Sequence, residues 1–221
     1  MITLDNVSVE KAGRHVLRGV SVELAERRIG VIGRNGSGKS TFARLLNGLE
    51  KPSSGSVRLA GSDDEKALRR TVGFVFQNPD NQIVYPIVSE DLEFGLKNLK
   101  LAKDERRARI DAALERFNIS HLAERFTHEL SGGEKQLVAM AGVLVMRPKM
   151  IVFDEPTTLL DLWNARTVKA AIDALDEHVV LVTHDLDLLA DFDRVILIED
   201  GDVATDGDPQ TVIARYRDQP A

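Results

Sequence analysis

The sequence contains a glycine-rich segment whose composition suits phosphate binding. Residues 33–40 read Gly-Arg-Asn-Gly-Ser-Gly-Lys-Ser and match the pattern G-x-x-x-x-G-K-[ST] in full. Glycines let backbone N–H groups turn inward around an anion, Lys39 could reach the outer phosphates, and Ser40 could offer its hydroxyl to Mg²⁺. A glycine-rich turn without a ligand is the alternative, which the full match disfavours. The predicted nucleotide site consists of Gly33, Arg34, Asn35, Gly36, Ser37, Gly38, Lys39, Ser40 and Thr41.

Two adjacent carboxylates end an apolar segment much later in the chain. Met150 to Phe153 is apolar throughout, and Asp154 and Glu155 follow it directly. Two acids at the end of a buried strand are unfavourable unless a cation or water uses them. With a phosphate loop upstream, Asp154 is predicted to support Mg²⁺ and Glu155 to polarise an attacking water. A strand that simply ends at the surface is the alternative.

A third segment, Ser131-Gly132-Gly133-Glu134, combines a helix-start signal with two glycines. Ser131 and Glu134 fit a capping box, which explains these two residues alone. Two glycines in a first helical turn weaken a helix by roughly 1 kcal/mol each, and they leave its backbone donors accessible to an anion. One nucleotide does not need two such sites from one chain. The second site therefore suggests a nucleotide held by another copy.

The elements that must position these residues alternate between strand and helix. Ile29 to Ile32 is predicted to be a strand, Ser40 to Leu49 a helix, and Val72 to Phe76 another strand. Helical spacing runs from Val88 to Ala123 and from Ser131 to Met146. Further strands are predicted at Met150 to Phe153, Val179 to Val182 and Val195 to Ile198, with a hairpin-type turn at Asp200-Gly201-Asp202 and two short β runs before Leu24. The pattern predicts an α/β fold with a mainly parallel core sheet and an N-terminal antiparallel β part.

Composition narrows the classes of function. The chain has 221 residues, a net charge of −6 and no cysteine. The acidic balance disfavours a protein that coats nucleic acid, and no nucleic-acid partner is expected. The longest apolar run, Leu137 to Met146, is far shorter than the ~20 residues needed to cross a bilayer. If the protein works at a membrane, a partner must supply the spanning helices.

The motifs together resemble those of the ABC-type ATPases, in the family's order along nearly the whole chain. Leu130 to Gln136 looks like the family's signature sequence, and Gln77 resembles its Q-loop glutamine, which senses Mg²⁺ and the attacking water. His184 resembles the switch histidine that contacts the γ-phosphate, and Asp161 resembles the D-loop aspartate that acts across the dimer. The resemblance implies a P-loop ATPase, a single domain over residues 1–221. It would have a RecA-like core at about 1–85 and 147–221 and an inserted helical subdomain at about 86–146.

The same resemblance implies how the site is completed. The family works as a head-to-tail dimer, in which ATP lies between the phosphate loop of one chain and the signature of the other. Glu155, His184 and Gln77 would be catalytic, and Ser40, Gln77 and Asp154 would hold Mg²⁺. All dimer motifs are intact, which favours a homodimer over pairing with a similar second subunit.

Three departures from the family pattern concern accessory positions. Residues 1–41 contain no aromatic to stack on adenine, and His15 is a weak substitute. The D-loop reads Thr158-Leu159-Leu160-Asp161-Leu162, without the commoner small residue and glycine before Leu-Asp. Leu137 stands where an arginine often follows the signature. None of the three removes a catalytic group.

The stretch from Phe76 to Gln82, with Ser89 to Leu96, is similar to the ATPases of energy-coupling-factor (ECF) transporters, which import vitamins and transition-metal ions. An ordinary turn at Asp80, Asn81 and Gln82 is the alternative. The likeness implies a groove for a transmembrane scaffold (T-type) subunit, a separate substrate-binding membrane subunit, and a peripheral place on the cytoplasmic face of the inner membrane. ATPases of biotin transporters are the nearest likeness, and those of cobalt or nickel importers are the rival.

Other classes fit the sequence less well. A P-loop kinase would have no reason to carry the signature, and a DNA-repair ABC protein would normally carry a long coiled coil. A ribosome-acting, soluble ABC protein would usually carry two cassettes, whereas this chain has one phosphate loop. A conventional ABC transporter and a soluble ABC ATPase outside transport remain the alternatives.

Overall fold

A computed structural model describes residues 1–218, except for the side chain of Asn98. The chain divides into two compact units. The first comprises Met1–Phe74, Lys149–Glu155 and the stretch from Glu177 onward, and the second comprises Val75–Pro148 and Pro156–Asp176. The phosphate loop and the carboxylate pair therefore belong to the first unit, and the glycine pair of the signature belongs to the second.

The N-terminal strands form an antiparallel sheet of three, in the order β2-β1-β4. Strand β1 is Ile2–Lys11, β2 is Arg14–Leu24 and β4 is Ser54–Leu59. Both β2 and β4 pair with β1 in antiparallel register. Alternate residues of β1 and β2 are buried, as expected for a sheet with one face on the core. The predicted antiparallel N-terminal part is confirmed, and β4 is a strand that the sequence patterns did not indicate.

The larger sheet has six strands in the order β5-β6-β7-β3-β8-β9. Pairs β3–β7, β3–β8 and β6–β7 are parallel, whereas β8–β9 is an antiparallel hairpin. Continuous apolar runs are typical of parallel strands that are covered on both faces. The strands are β3 (Arg28–Ile32), β5 (Val72–Val75), β6 (Met150–Asp154), β7 (His178–Val182), β8 (Arg194–Glu199) and β9 (Asp202–Gly207).

Three helices accompany the sheets of the first unit. Helix α1 is Lys39–Leu46, α2 is Glu65–Thr71 and α7 is Pro209–Arg217. Aspartates cap α2 and α7, because Asp64 accepts hydrogen bonds from two first-turn amides and Asp208 accepts one from Thr211. Helix α1 instead begins directly after the glycine loop, which leaves its first amides facing that loop.

The second unit is mainly helical. Its helices are α3 (Val88–Leu96), α4 (Lys103–Arg116), α5 (Gly132–Leu144) and α6 (Leu162–Asp173). Helix α5 packs against each of the other three and buries nine of its residues. The helical stretch predicted from Val88 to Ala123 is interrupted, because Lys100 and Asn118 adopt left-handed backbone angles that end a helix.

The apolar run from Leu137 onward lies in α5 and just beyond its end, and it is buried within the second unit. Within residues 1–218, no helix is both long enough and apolar enough to cross a membrane.

Candidate functional site

The phosphate loop connects β3 to α1, and backbone geometry fixes its first and last glycines. Gly33 has a φ of +148°, and a Cβ there would lie 2.2 Å from the carbonyl oxygen of Ile198. Gly38 has a φ of +107°, and a Cβ there would lie 2.7 Å from the carbonyl oxygen of Val16. Neither position can hold a side chain without strain. The glycines are therefore required for the loop to lie against its neighbours.

Lys39 lies folded against this loop. Its side chain is only 4% exposed, and Nζ donates to the carbonyl oxygens of Gly33 at 2.8 Å and Arg34 at 3.0 Å. Burial lowers the pKa of the ammonium, and the charges of Glu155 and Asp154 act in the opposite direction. The ammonium is thus held between the loop and the carboxylate pair, where it can bind phosphate oxygens.

Ser40 and Asp154 form the next contact of the site. The hydroxyl of Ser40 donates to Oδ1 of Asp154 at 2.9 Å, which joins the first turn of α1 to the end of β6. Asp154 is only 4% exposed, and burial raises its pKa although the Ser40 hydrogen bond acts to lower it. A buried carboxylate beside a hydroxyl is an oxygen ligand set of the kind that Mg²⁺ prefers. The pair therefore fits the predicted metal position.

Glu155 has an unusual backbone conformation. Its φ is +50°, in the left-handed region that costs a non-glycine residue roughly 1–2 kcal/mol, and its N–H donates to the carbonyl oxygen of Val182 at 2.9 Å. Its carboxylate Oε2 lies 3.2 Å from Nδ1 of His184. Parallel strands β6 and β7 bring these two residues together at their carboxyl ends, where α/β sheets bind their ligands. Strain of this kind is concentrated at functional sites.

An open cavity of about 460 Å³ lies beside the loop. It is lined by Arg34 to Ser37 and by Ile198 to Asp200. The hydroxyl of Ser37 is buried and has no hydrogen-bond partner among the described residues. An unpaired buried hydroxyl is unfavourable unless a ligand completes it. The unpartnered Ser37 hydroxyl, directly before the start of α1, therefore fits a loop that binds a nucleotide phosphate.

The signature segment is built differently, at the start of α5 in the second unit. Ser131 Oγ accepts from the N–H of Glu134, and Oε2 of Glu134 accepts from the N–H of Ser131 at 2.8 Å, so the capping box is present. The Ser131 hydroxyl also donates to that oxygen, and this bond is the main cause of the lowered pKa of Glu134. A Cβ on Gly133 would lie 2.1 Å from Oδ1 of Asn164 in α6. Gly133 is therefore needed for α5 to pack against α6.

Gln77 and Asp161, the other predicted site residues, are exposed residues of the second unit. Gln77 lies two residues beyond β5. Asp161 caps α6, with Oδ1 accepting from the N–H of Asn164 at 2.9 Å and Oδ2 from its side-chain amide at 2.8 Å. Those hydrogen bonds lower the pKa of Asp161. The roles of both residues towards nucleotide stay predictions.

His15, the predicted substitute for an adenine-stacking aromatic, is exposed on β2. It adjoins Val16, whose carbonyl oxygen approaches Gly38 of the loop. A role in base binding stays a prediction.

Two contacts were not foreseen from the sequence. The pairing of Glu155 with His184 joins residues that are 29 positions apart, and the packing of Asn164 on Gly133 joins residues 31 positions apart. The first could have been inferred by placing both residues after neighbouring parallel strands. The second had no signal in the sequence beyond the Asp161-x-x-Asn164 capping pattern.

The glycine loop between β3 and α1, with acids ending β6, defines a P-loop nucleotide-binding protein. The sequence profile of the ABC transporter family matches residues 17–158. The chain belongs to this family and is an ATP-binding subunit with ATPase activity.

Similar proteins come from several bacteria. An ABC transporter ATP-binding protein of Deinococcus radiodurans is 56% identical over 99% of this chain and 98% of its own length. The biotin transport ATP-binding protein BioM of Rhizobium etli is 47% identical over 96% of this chain and 98% of its own. The ECF transporter ATP-binding protein EcfA1 of Clostridium novyi is 42% identical, over 83% of this chain and 69% of its own.

Solved structures agree with this assignment. CbiO1 of Clostridium perfringens, part of the ABC transporter complex CbiONQ, has a TM-score of 0.86 and 36% identity, covering 98% of this chain and 92% of its own. The ATP-binding cassette MJ0796, solved as a dimer in a post-hydrolysis state with ADP and Pi, has a TM-score of 0.82 and 29% identity, covering 95% of this chain and 99% of its own. The predicted fold class is therefore confirmed.

Proposed function

We propose that two copies of this chain hydrolyse ATP in a head-to-tail dimer and thereby drive an ECF-type importer, with biotin as its cargo. The observation that carries the proposal is the division of the motifs between the two units. Lys39, Ser40, Asp154, Glu155 and His184 lie in the first unit, and the signature lies at the start of a 13-residue helix in the second. The N-terminus of such a helix favours an anion.

Within one copy, the loop amides and Lys39 would hold the β- and γ-phosphates of ATP, and Ser40 and Asp154 would hold Mg²⁺. The ion would neutralise charge that develops on the phosphates. Glu155 would orient a water molecule towards the γ-phosphorus and accept its proton as the bond to ADP breaks. His184, 3.2 Å from Glu155, is positioned to hold that carboxylate and to contact the γ-phosphate.

Across the dimer, Ser131 to Glu134 of the partner copy would complete the γ-phosphate site. The γ-phosphate would then connect the two copies, so that hydrolysis loosens the interface. Closure and opening of this kind move whatever is docked on the ATPase. The dimeric cassette MJ0796 supports such an arrangement.

The second unit carries a surface suited to a membrane subunit. Val84 and Phe94 are exposed by 70% and 44%, the rings of Tyr85 and Phe94 lie 5.0 Å apart, and Lys97 lies 5.1 Å from the Tyr85 ring centre. Phe126, whose side chain is exposed by 46%, forms an isolated antiparallel β-bridge with Ile87. An exposed apolar surface with a cationic edge suits an amphipathic helix.

The residues from Asp80 to Gln82 also contribute to this part of the second unit. They form the turn that was the alternative reading of the sequence. They also bind α5, because Lys135 pairs with Asp80 at 2.7 Å and the side-chain amide of Gln82 donates to the carbonyl oxygen of Ala139 at 2.7 Å. Movement of a helix docked at the turn would therefore reach α5 and its signature. We propose that the T-type scaffold binds here, which would place the ATPase at the cytoplasmic face of the membrane.

The cargo assignment rests on likeness to BioM proteins at 47% and 41% identity. The similarity to CbiO1 makes cobalt or nickel import the second candidate. Uptake of labelled biotin and of labelled cobalt would be measured in native cells that lack this chain, then after restoring the chain or its Glu155→Gln variant. Biotin uptake that returns only with the unaltered chain is expected. Unchanged biotin uptake in the deleted cells would overturn the cargo, and loss of cobalt uptake instead would establish the rival.

A further inference from the structure

A basic segment connects α3 to the first turns of α4, within the second unit. Residues 97–109 contain six cationic and two acidic residues, although the chain as a whole has a net charge of −6. The six cations are Lys97, Lys100, Lys103, Arg106, Arg107 and Arg109. A local excess of positive charge in an acidic protein indicates attraction to an anionic partner.

Two acids pair with the least exposed of these cations. Arg106 lies 3.2 Å from Glu93 of α3, and Arg109 lies 2.7 Å from Glu105. The two arginine side chains are exposed by only 26% and 13%. Their charges are therefore largely balanced within the second unit.

The other four cations of the basic segment are exposed, and they are Lys97, Lys100, Lys103 and Arg107. Among residues 1–218, the three lysines form no ion pair, and the pair of Arg107 with Asp111 is both long, at 3.9 Å, and exposed. Lys103 is also the first residue of α4, where the helix dipole disfavours a cation. The local structure therefore does not account for these charges, whereas an external anionic partner would.

The basic segment adjoins the apolar surface on which the scaffold subunit is proposed to dock. Lys97 Nζ lies 5.1 Å from the ring centre of Tyr85 and 6.0 Å from that of Phe94. Glu93, the partner of Arg106, directly precedes Phe94. A membrane subunit bound at this surface would bring the basic segment close to the membrane, and the present inference rests on that part of the proposed function.

We propose that the basic segment binds the anionic lipid headgroups of the membrane beside the scaffold subunit. The cytoplasmic leaflet has a negative surface potential that attracts clusters of Lys and Arg. Cytoplasmic loops of membrane proteins are themselves rich in Lys and Arg, so they would repel the segment. Charge complementarity therefore favours the lipid surface. The acidic remainder of the chain would be repelled by the same lipids, which would orient the ATPase at the membrane.

Vesicle binding by the unaltered chain tests the proposal directly. Flotation would compare vesicles of phosphatidylcholine alone with vesicles that also contain about one third phosphatidylglycerol, at about 0.05 M and about 0.5 M salt. Binding is expected only with phosphatidylglycerol and only at the lower salt concentration, because salt screens exposed charges. Equal binding to both kinds of vesicle, or binding to neither, would overturn the proposal.

Neutralising the three lysines tests whether the basic segment is the part that binds. The variant Lys97→Gln, Lys100→Gln, Lys103→Gln should lose affinity at least about tenfold, because each cation near an anionic surface contributes a factor of roughly five. Its folding should be unaffected, since the three side chains are exposed. The matched control makes the same change at three exposed lysines of the first unit, namely Lys51, Lys66 and Lys149. Equal affinity of the two variants would contradict the proposal.

A dye can locate the contact, because the chain has no cysteine and an introduced one would be unique. Ala102→Cys places an environment-sensitive dye between Lys100 and Lys103. Ala174→Cys is its control, since the carbonyl oxygen of Ala174 accepts from Arg116 at the other end of α4, roughly 20 Å along the helix. Only the dye at position 102 should respond to phosphatidylglycerol vesicles, and an equal response at both positions would count against the proposed contact.

The outcomes distinguish this inference from the proposed function. A chain that restores biotin uptake but binds no vesicles would overturn the lipid contact and leave the importer standing. A lysine variant that binds vesicles as the control does, yet no longer co-purifies with membrane subunits, would assign the basic segment to a protein partner and overturn the lipid contact. Lysine-dependent vesicle binding by a chain that biotin uptake does not require would support the lipid contact and overturn the cargo.

Discussion

The buried ammonium of Lys39 is hydrogen-bonded to the loop, and removing this side chain should mainly weaken the binding of a ligand. Its two hydrogen bonds to loop carbonyls can be replaced by bonds to phosphate oxygens when nucleotide binds. We predict that Lys39→Ala weakens ATP binding by about tenfold to a hundredfold, the value of a hydrogen bond to a charged group. Calorimetric titration with ATP measures this loss. Lys51→Ala, at an exposed ion pair with Glu65, is the matched control, and equal affinity of the two variants would mean that the loop does not bind phosphate.

Asp154 occupies a site where burial makes its negative charge unfavourable. Its pKa in the folded protein is raised by burial from 3.8, so the ionised form destabilises the folded state as pH rises above about 4. We predict that Asp154→Asn stabilises the nucleotide-free protein by about 1 kcal/mol at pH 7, and that the gain disappears below about pH 4, where the carboxyl is protonated in both states.

Chemical denaturation across this pH range measures the effect. Asp111→Asn, at a carboxylate exposed by 68%, should show no such pH dependence. The same Asp154→Asn variant should lose Mg²⁺-dependent ATP hydrolysis. Lower stability of this variant at pH 7 would contradict the assignment of Asp154 as an unfavourably buried carboxylate.

At the scale of elements, the contact of α5 with α6 explains the second glycine of the signature. We predict that Gly133→Ala destabilises the protein by about 1–3 kcal/mol, because the added methyl overlaps Asn164. Gly142→Ala in the same helix is the matched control. A Cβ there meets nothing within 4 Å, so the change should be neutral or stabilise by up to about 1 kcal/mol. Thermal unfolding compares the two, and equal effects would mean that Gly133 is not constrained by packing.

Elements with strong apolar patterns were predictable from the sequence, and elements without them were not. Strands β3, β6, β7 and β8 are continuous apolar runs, because both of their faces are covered. Strand β4 was not predicted because it exposes three of its six residues and begins with Ser-Gly-Ser.

In the candidate site, too, the features with a local sequence pattern were predictable and the features without one were not. The loop and the carboxylate pair are local patterns that a sequence shows directly. The hydrogen bond from Ser40 to Asp154, the left-handed angle of Glu155 and the packing of Asn164 depend on how distant segments meet. No local pattern encodes them.

On the scale of the whole molecule, long-range charge pairing supports the frame that holds the site. Arg194 at the start of β8 donates to Asp206 on β9, to Glu26, and to the carbonyl oxygen of Glu23 at 2.7 Å. The Asp206 hydrogen bond is the main cause of the raised pKa of Arg194, so this network stays charged at all ordinary pH values. The network connects the end of the antiparallel sheet to the core sheet within the first unit.

We propose that each ATP site is shared between two copies of the chain. Mixing two inactive variants tests this sharing. Lys39→Ala removes the loop lysine and keeps the signature. Gly132→Asp places a negative charge at the signature, where it would repel phosphate but is favourable for the helix itself. Each variant alone should have almost no ATPase activity.

A mixed dimer joins the intact loop of one variant to the intact signature of the other. Random mixing makes half of the dimers mixed, each with one intact site of two, so about a quarter of the unaltered activity should return. We therefore predict that ATPase activity recovers on mixing. Two variants that are inactive alone and stay inactive when mixed, although sedimentation shows that they associate, would contradict it.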